Sequence, residues 1–588
     1  MKEKIDPRKM KDWEIAKIKE KNRRPIEEIA KKLQIKDDEM VKIKRVLKID
    51  QDKVLNRLKN KKNGKYIIVT AITPTTLGEG KTTTTIGLVD GLAKFNKKVT
   101  TAIRQPSGGP TFNIKGSAAG GGLSQCIPLT DLSFGLTGDI DAISNAHNLS
   151  MVALTARMQH ENNYSDEHLS KIGINRLNID PEKIFQKWVI DFCAQSLRNI
   201  TIGQGGRLDG YEMKSGFQIT VSSEIMAILS IVKDFKELRD KIGKIVLAKN
   251  KEGKDVTTSD LEVAGAMTAW LVDTINPNLL QTMEDNPVFV HAGPFANIAI
   301  GQSSVISDIL ASKLSDYHVT ESGFGADIGF EKFWNLKCRY SKLKPNAAVI
   351  VCTIRALKMH GGGPLVKPGK RLDEAYLKED LKLVEKGCEN LIAHIEIVKK
   401  ANVPVVVCIN SFPADTEKEV LLVKEIVKRY GVKAVLSKHW QFGGVGAKEL
   451  AKEVINLCEE EREFKFLYRD DDKISEKIDI IAKNIYGAKG IEYNELAKDK
   501  LEKLEKDRSV KNFGICMVKT HLSLSDDPEI KGRPKDWNLK VEDFLLYKGA
   551  NLIVPVAGKI KWMPGTSSNP AFRNIDVNVK NKEIIGLF

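Results

Sequence analysis

The segment Thr73-Pro74-Thr75-Thr76-Leu77-Gly78-Glu79-Gly80-Lys81-Thr82-Thr83 follows an apolar run, Tyr66-Ile67-Ile68-Val69-Thr70-Ala71-Ile72, and precedes a helical pattern over 84–94. A strand, a glycine-containing loop ending in Gly-Lys-Thr, and a helix form a recurrent unit of α/β folds and make a phosphate cradle. Backbone N–H groups at the helix N-terminus point at the anion, and the helix dipole adds to the attraction. In this reading Thr75, Gly78, Glu79, Gly80, Lys81, Thr82 and Thr83 surround a nucleotide. Lys81 reaches the terminal phosphates and Thr82 holds a magnesium ion. The first glycine of the usual spacing is replaced by Thr75. A Thr/Gly-rich turn before an amphipathic helix is the plain alternative.

Further short, continuous apolar runs at 99–104, 347–354, 403–410 and 434–437 read as buried parallel strands. Helical patterns at 374–400 and 417–430 separate some of them. This alternation predicts an α/β fold with a doubly wound, mostly parallel sheet. A chain of 588 residues is too long for one core. The expected division is a charged, helical segment over 1–64, a nucleotide-binding core over 65–460, and a smaller α/β C-terminal domain over 461–588. The core carries an inserted, more helical region at about 151–285, with a packed helix over 260–275. Pro25 suits the first turn of a helix. Residues 459–512 read as exposed helices and a linker before apolar runs at 514–518 and 551–556.

No apolar run approaches the roughly 18 residues of a membrane span. The start, Met1-Lys2-Glu3-Lys4-Ile5-Asp6, mixes acids with bases and has no apolar stretch, so a cytoplasmic protein is expected. The formal net charge of +16 is spread along the chain among Glu and Asp. That reads as a lysine-rich solvated surface whose field suits a small polyanionic substrate, not nucleic acid or a membrane. Eight scattered cysteines without a C-x-x-C pair read as buried thiols.

A second glycine-rich region, Arg104-Gln105-Pro106-Ser107-Gly108-Gly109-Pro110, continues into Lys115-Gly116-Ser117-Ala118-Ala119-Gly120-Gly121-Gly122. Open α/β sheets bind ligands beyond the carboxyl ends of their strands. Arg104 leaves its strand there, and a guanidinium grips carboxylate or phosphate in bidentate fashion. A flexible loop with an incidental surface arginine is the alternative. Aromatics also sit on turns at His291-Ala292-Gly293-Pro294-Phe295-Ala296-Asn297, at Asn410-Ser411-Phe412-Pro413-Ala414-Asp415-Thr416 and at Lys438-His439-Trp440-Gln441-Phe442-Gly443-Gly444. Such rings stack on a flat ligand or act as packing lids. Asp415 is able to accept from an amino group of a base or pterin.

These segments, with Leu136-Thr137-Gly138-Asp139, Val221-Ser222-Ser223-Glu224-Ile225-Met226-Ala227, Thr320-Glu321-Ser322-Gly323-Phe324-Gly325-Ala326-Asp327, Arg355-Ala356-Leu357-Lys358-Met359-His360-Gly361-Gly362-Gly363, Cys516-Met517-Val518-Lys519-Thr520-His521-Leu522-Ser523-Leu524-Ser525 and the terminal Gly586-Leu587-Phe588, resemble formate–tetrahydrofolate ligases over nearly the whole chain. The Arg104-Gln105-Pro106-Ser107 form and the terminal Gly-Leu-Phe resemble the eukaryotic branch, as a monofunctional chain. The resemblance implies that ATP, formate and tetrahydrofolate give 10-formyltetrahydrofolate, ADP and phosphate through formyl phosphate. It implies Lys81 and Arg104 as catalytic residues, and Arg104, Lys115, Phe295, Phe412, Asp415 and Trp440 as substrate-binding residues. It also implies Mg²⁺ with the ATP, a monovalent cation in many members, a folate that is in some cases polyglutamylated, and a homodimer or homotetramer.

Several positions depart from the family pattern. Gly135 and Asp141 stand where histidines are usual. Cys193-Ala194-Gln195 replaces Asn-Asp-Arg, Val41-Lys42-Ile43-Lys44-Arg45-Val46-Leu47-Lys48 replaces a Tyr-Gly and Lys-Ala-Lys pattern, Ala299-Ile300-Gly301 replaces Ala-His-Gly, and Thr566-Ser567 replaces Leu-Pro. An active ligase is one reading of these changes. A degenerate paralogue that binds nucleotide or folate without turnover is another. A different nucleotide-loop ATPase acting on a protein partner is a third.

Overall fold

The computed structural model describes residues 5–113, 118–296, 299–366, 372–558 and 562–587. Ten strands form the path of its main sheet: β1 (Met40–Ile43), β2 (Val46–Ile49), β3 (Lys65–Ala71), β4 (Val99–Ile103), β5 (Asn278–Thr282), β6 (Pro287–Val290), β7 (Tyr317–Glu321), β8 (Ala347–Cys352), β9 (Val405–Asn410) and β10 (Lys433–Ser437). Their order is β1-β2-β5-β6-β4-β7-β3-β8-β9-β10. Every pairing from β6 to β10 is parallel. The pairings from β1 to β6 are antiparallel.

β3 shows why its sequence is a continuous apolar run. Successive side chains point to opposite faces, and both faces are covered. Tyr66 and Ile68 enter a core with Val384 and Leu391 of the Leu381–Lys400 helix and Val420 and Val423 of the Glu417–Arg429 helix. Ile67, Val69 and Ala71 face Leu88, Val89 and Leu92 of the Lys81–Ala93 helix and Val454 of the Lys448–Cys458 helix. The predicted strands at 99–104, 347–354, 403–410 and 434–437 all lie in this sheet. Thr416 and Glu419 form a reciprocal capping box that starts the 417–429 helix.

The helical reading of 1–64 holds for Asp12–Lys21, Ile26–Lys32 and Gln51–Arg57 but not for 40–49. Those residues are the β1–β2 hairpin, joined to the sheet through Leu47 opposite Leu279. The charged pattern misled because Lys48 is internal: its Nζ lies 2.5 Å from Asp139 Oδ1, with both side chains buried. Pro25 precedes the Ile26–Lys32 helix as its N-cap.

The helix expected over 260–275 is confined to Ala264–Ala269. Asp260 Oδ2 instead accepts from the Thr257 amide and hydroxyl at 2.7 and 2.6 Å, which closes a turn. The region 151–285 is also less helical than expected. It contains a three-stranded sheet of Ile179–Ile184, Val246–Asn250 and Asp255–Thr257.

Within 461–588, Gly514–Ile515 pairs in parallel with Leu552–Val556, which pairs antiparallel with Asp543–Tyr547. Ile515, Met517 and Ile553 share a core with Tyr66 and Ile350 of the main sheet. All eight cysteines are buried and free, as their sequence context predicts. Among the described residues no helix is long and apolar enough to cross a membrane.

Candidate functional site

β3 ends at Ala71, and the chain loops over 72–80 into the Lys81–Ala93 helix. Thr73 is fixed from three sides. Its amide donates to Asn390 Oδ1 at 3.2 Å, its hydroxyl meets His394 Nε2 at 3.0 Å, and its carbonyl lies 2.8 Å from His360 Nε2. Burial holds both histidines neutral, with pKa values lowered to about 4.

Glu79 turns inward and accepts from the Thr75 amide and hydroxyl at 2.7 and 3.0 Å. Burial raises its carboxyl above the ordinary range. Gly80 has φ 75°, and a Cβ there would lie 2.5 Å from Asn410 Nδ2. That amide, at the end of β9, donates to the Glu79 carbonyl at 3.0 Å. Among the described residues no side chain caps the Lys81–Ala93 helix and no acid lies in its first turn. The helix start therefore keeps free N–H groups and an uncompensated positive pole, the local geometry that holds an anion. Gly87 and Gly91 let the segment over 439–447 approach this helix, since Cβ atoms there would meet His439 Cβ at 2.5 Å and Ala447 Cβ at 3.0 Å.

Adjacent parallel strands bring the charges together. β4 delivers Arg104, β7 ends in Glu321, and β3 leads to Lys81. Burial lowers the Lys81 pKa; Glu79, Glu321 and Asp327 oppose that shift and Arg104 adds to it. Burial likewise lowers the Arg104 pKa, against the pull of Glu321. Asp327 Oδ2 lies 2.8 Å from Lys519 Nζ, and both side chains are buried. Lys519 also donates to the Ser523 carbonyl at 2.6 Å, which ties the C-terminal segment to this centre.

Beyond Arg104 the chain turns back under Asp191. The Ser107 hydroxyl and Gly108 amide each donate to this carboxylate at 2.7 Å. Burial raises the Asp191 pKa to about 6. The loop has no room for larger residues: a Cβ on Gly109 would lie 2.6 Å from the Asp191 carbonyl.

Phe412, Asp415 and Trp440 line one cleft of about 510 Å³, with Arg8, Lys424, Lys438 and Gln441 at its walls. Asp415 Oδ2 accepts from the Phe412 amide at 2.8 Å, and burial raises its pKa to about 6. Trp440 is braced from behind, where its carbonyl accepts from Leu123 at 2.8 Å. Phe295 is half-buried beyond the end of β6, packs against a separate buried core and does not line this cleft. Lys115 lies outside the described residues. Thr82 and Thr83 occupy the first helical turn, half-buried.

The structure thus groups Lys81 with Arg104, and Phe412 with Asp415 and Trp440. Sequence reasoning passed over Glu321, Asp327, Asp191, Arg355 and Lys519 as site residues. A lysine closing the apolar run Cys516-Met517-Val518 was a usable signal for a buried cation. Nothing comparable marks Asp191.

Other motif residues are structural. His291 bridges the Ser304 hydroxyl at 2.6 Å and the Thr274 carbonyl at 2.8 Å, and Asp139 holds Lys48 and Asn278. Gly135 has φ 76°, with open space among the described residues where a Cβ would point, and Asp141 is exposed in the first turn of the Asp139–Asn163 helix.

A family model described as formate–tetrahydrofolate ligase matches residues 10–588. A formate–tetrahydrofolate ligase of Desulforapulum autotrophicum is 58% identical over 99% of this chain and 100% of its own length. One from Dehalococcoides mccartyi is 58% identical over 99% of this chain and 98% of its own, and one from Lawsonia intracellularis is 57% identical over 99% and 100%. These relatives are bacterial and lend no support to the eukaryotic affinity expected from Arg104-Gln105-Pro106-Ser107 and the terminal Gly-Leu-Phe.

Proposed function

The chain belongs to the formate–tetrahydrofolate ligase family, and we propose that it joins formate to tetrahydrofolate with ATP, giving 10-formyltetrahydrofolate, ADP and phosphate. The loop over 73–83 is the P-loop of a doubly wound sheet in this reading. The uncapped helix start and the Gly80 cradle fit a phosphate, and Thr82 in the first turn would hold the Mg²⁺ that helps neutralise it.

A formate oxygen attacks the γ-phosphorus while the bond to the ADP oxygen breaks. Lys81 neutralises charge on the transferred group, and Arg104 orients the formate and then the formyl phosphate. The folate N10 attacks the formyl carbon, phosphate leaves with the C–O bond pair, and the N10 proton passes to the departing phosphate. Phe412 and Trp440 flank the flat end of the folate, and Asp415 accepts from its amino group. Lys115 and Phe295 complete the substrate contacts of the proposal. A cytoplasmic homodimer or homotetramer and a monovalent-cation requirement belong to the same proposal.

The observation that carries this reading is the Asn410–Glu79 hydrogen bond. It joins the phosphate loop to the strand end that opens directly into the Phe412 cleft, so the two substrate regions share one rigid edge. The degenerate-paralogue reading is not favoured, because the full-length relatives carry the ligase name.

The test mixes purified protein with Mg-ATP, formate and tetrahydrofolate, then acidifies and reads methenyl-folate absorbance. A formate-dependent signal is expected. Absence of signal with ATP still bound would reinstate the binding-only reading.

A further inference from the structure

Arg355 stands in the first turn of the Ile354–His360 helix, just past the end of β8 and beside the P-loop. Its Nη2 donates to the Leu77 carbonyl at 3.0 Å. Its guanidinium carbon lies 3.5 Å from the centre of the Phe412 ring. Among the described residues its Nε is buried without a hydrogen-bond partner, and the stack and the Leu77 carbonyl hold the group. Burial lowers its pKa, and Asp415 and Glu79 oppose that shift, one from the cleft and one from the loop.

We propose that Arg355 is a positioning residue that couples nucleotide binding to folate binding. The inference rests on the reading of the Phe412–Trp440 cleft as the folate site. A planar guanidinium lies flat on a ring and donates in its own plane at the same time; a lysine ammonium does only one of these. A shift of the Leu77 carbonyl when phosphate fills the loop therefore moves Arg355, and Phe412 moves with it. Occupying the loop sets the ring in place, which favours folate, and by linkage folate favours nucleotide to the same degree.

The experiment measures tetrahydrofolate affinity with and without Mg-ADP, by calorimetry, for the full chain, Arg355→Lys, Arg355→Met and Phe412→Ala. For the unaltered protein Mg-ADP is expected to tighten tetrahydrofolate about 5–20-fold. Arg355→Lys is expected to bind Mg-ADP alone within about twofold of normal while the tightening falls to about twofold or less. The KM for tetrahydrofolate then rises more than kcat falls, and the melting temperature stays near normal, which a merely structural role does not predict.

Full tightening in both Arg355 variants overturns the inference, as does no tightening in the unaltered protein. If Arg355→Met fails to fold, Arg355→Lys alone decides. Tetrahydrofolate binding that Phe412→Ala leaves intact would instead overturn the cleft assignment beneath it.

Discussion

Gln195 and Thr566, separated by 371 positions, exchange two hydrogen bonds: Gln195 Nε2 donates to the Thr566 carbonyl at 3.2 Å, and the Thr566 amide donates to Gln195 Oε1 at 3.2 Å. The Thr566 hydroxyl also donates to the Cys193 carbonyl at 2.7 Å. These bonds pin the C-terminal segment beside Asp191 and the Arg104 loop. Gln195→Ala removes both bonds at a partly solvated site. It should lower unfolding free energy by about 0.5–1.5 kcal/mol in urea titration, and raise the KM for formate more than it lowers kcat. An unchanged formate KM would confine the pair to stability.

In the proposed reaction Lys81 is the cation that meets charge developing during phosphoryl transfer. Lys81→Met keeps the stem and removes the ammonium. Turnover should fall by about 10²–10³-fold, the usual loss for one such electrostatic partner in a water-poor site. Burial already disfavours the Lys81 charge, so the variant should fold at least as stably as the parent. Steady-state assays beside thermal melts separate the two effects.

At Gly80 the fold has no slack. A Cβ would sit 2.5 Å from Asn410 Nδ2, on a backbone with φ 75°. Gly80→Ala should cost about 1–2 kcal/mol for the left-handed backbone and weaken nucleotide binding as Asn410 is displaced from the Glu79 carbonyl. Adding Asn410→Ala removes the clash but neither the backbone cost nor the lost hydrogen bond. The double variant should thus recover part of the stability and little of the affinity, measured by denaturation and Mg-ADP titration.

The buried strands of the α/β sheet were legible because parallel strands covered on both faces read as unbroken apolar runs, as β3, β8 and β9 do. The glycine-containing turn between β3 and the Lys81–Ala93 helix and the aromatics on turns were legible because glycine spacing and rings on loops are local signals. The β1–β2 hairpin was hidden because Lys48 looks like a surface residue until Asp139, far along the chain, neutralises it. Asp191, Asp327 and Lys519 were hidden for the same reason: each gains its role from a partner brought in by the fold, and a single sequence does not record that pairing. Phe295 shows the converse, a loop aromatic whose principal contacts are packing.

Asp415 makes the cleft sensitive to acid. Burial lifts its pKa to about 6, above the value near 3.9 of an unfolded aspartate. Between those values the native state binds the extra proton, so this group's contribution to stability falls as pH rises from about 4 to about 6 and is flat above. The shift amounts to roughly 1–3 kcal/mol, the lower end applying because the side chain is partly open to solvent. Binding runs the other way. In the proposed site a folate amino group donates more strongly to the carboxylate than to the neutral acid, so tetrahydrofolate affinity should rise with pH up to about 6, by at most tenfold per unit, and then level off. Asp415→Asn keeps an acceptor without a charge. It should bind more weakly above pH 6 and lose both slopes, in calorimetric titrations and in melts taken from pH 5 to 8. A slope that survives in Asp415→Asn would assign the titration to another group.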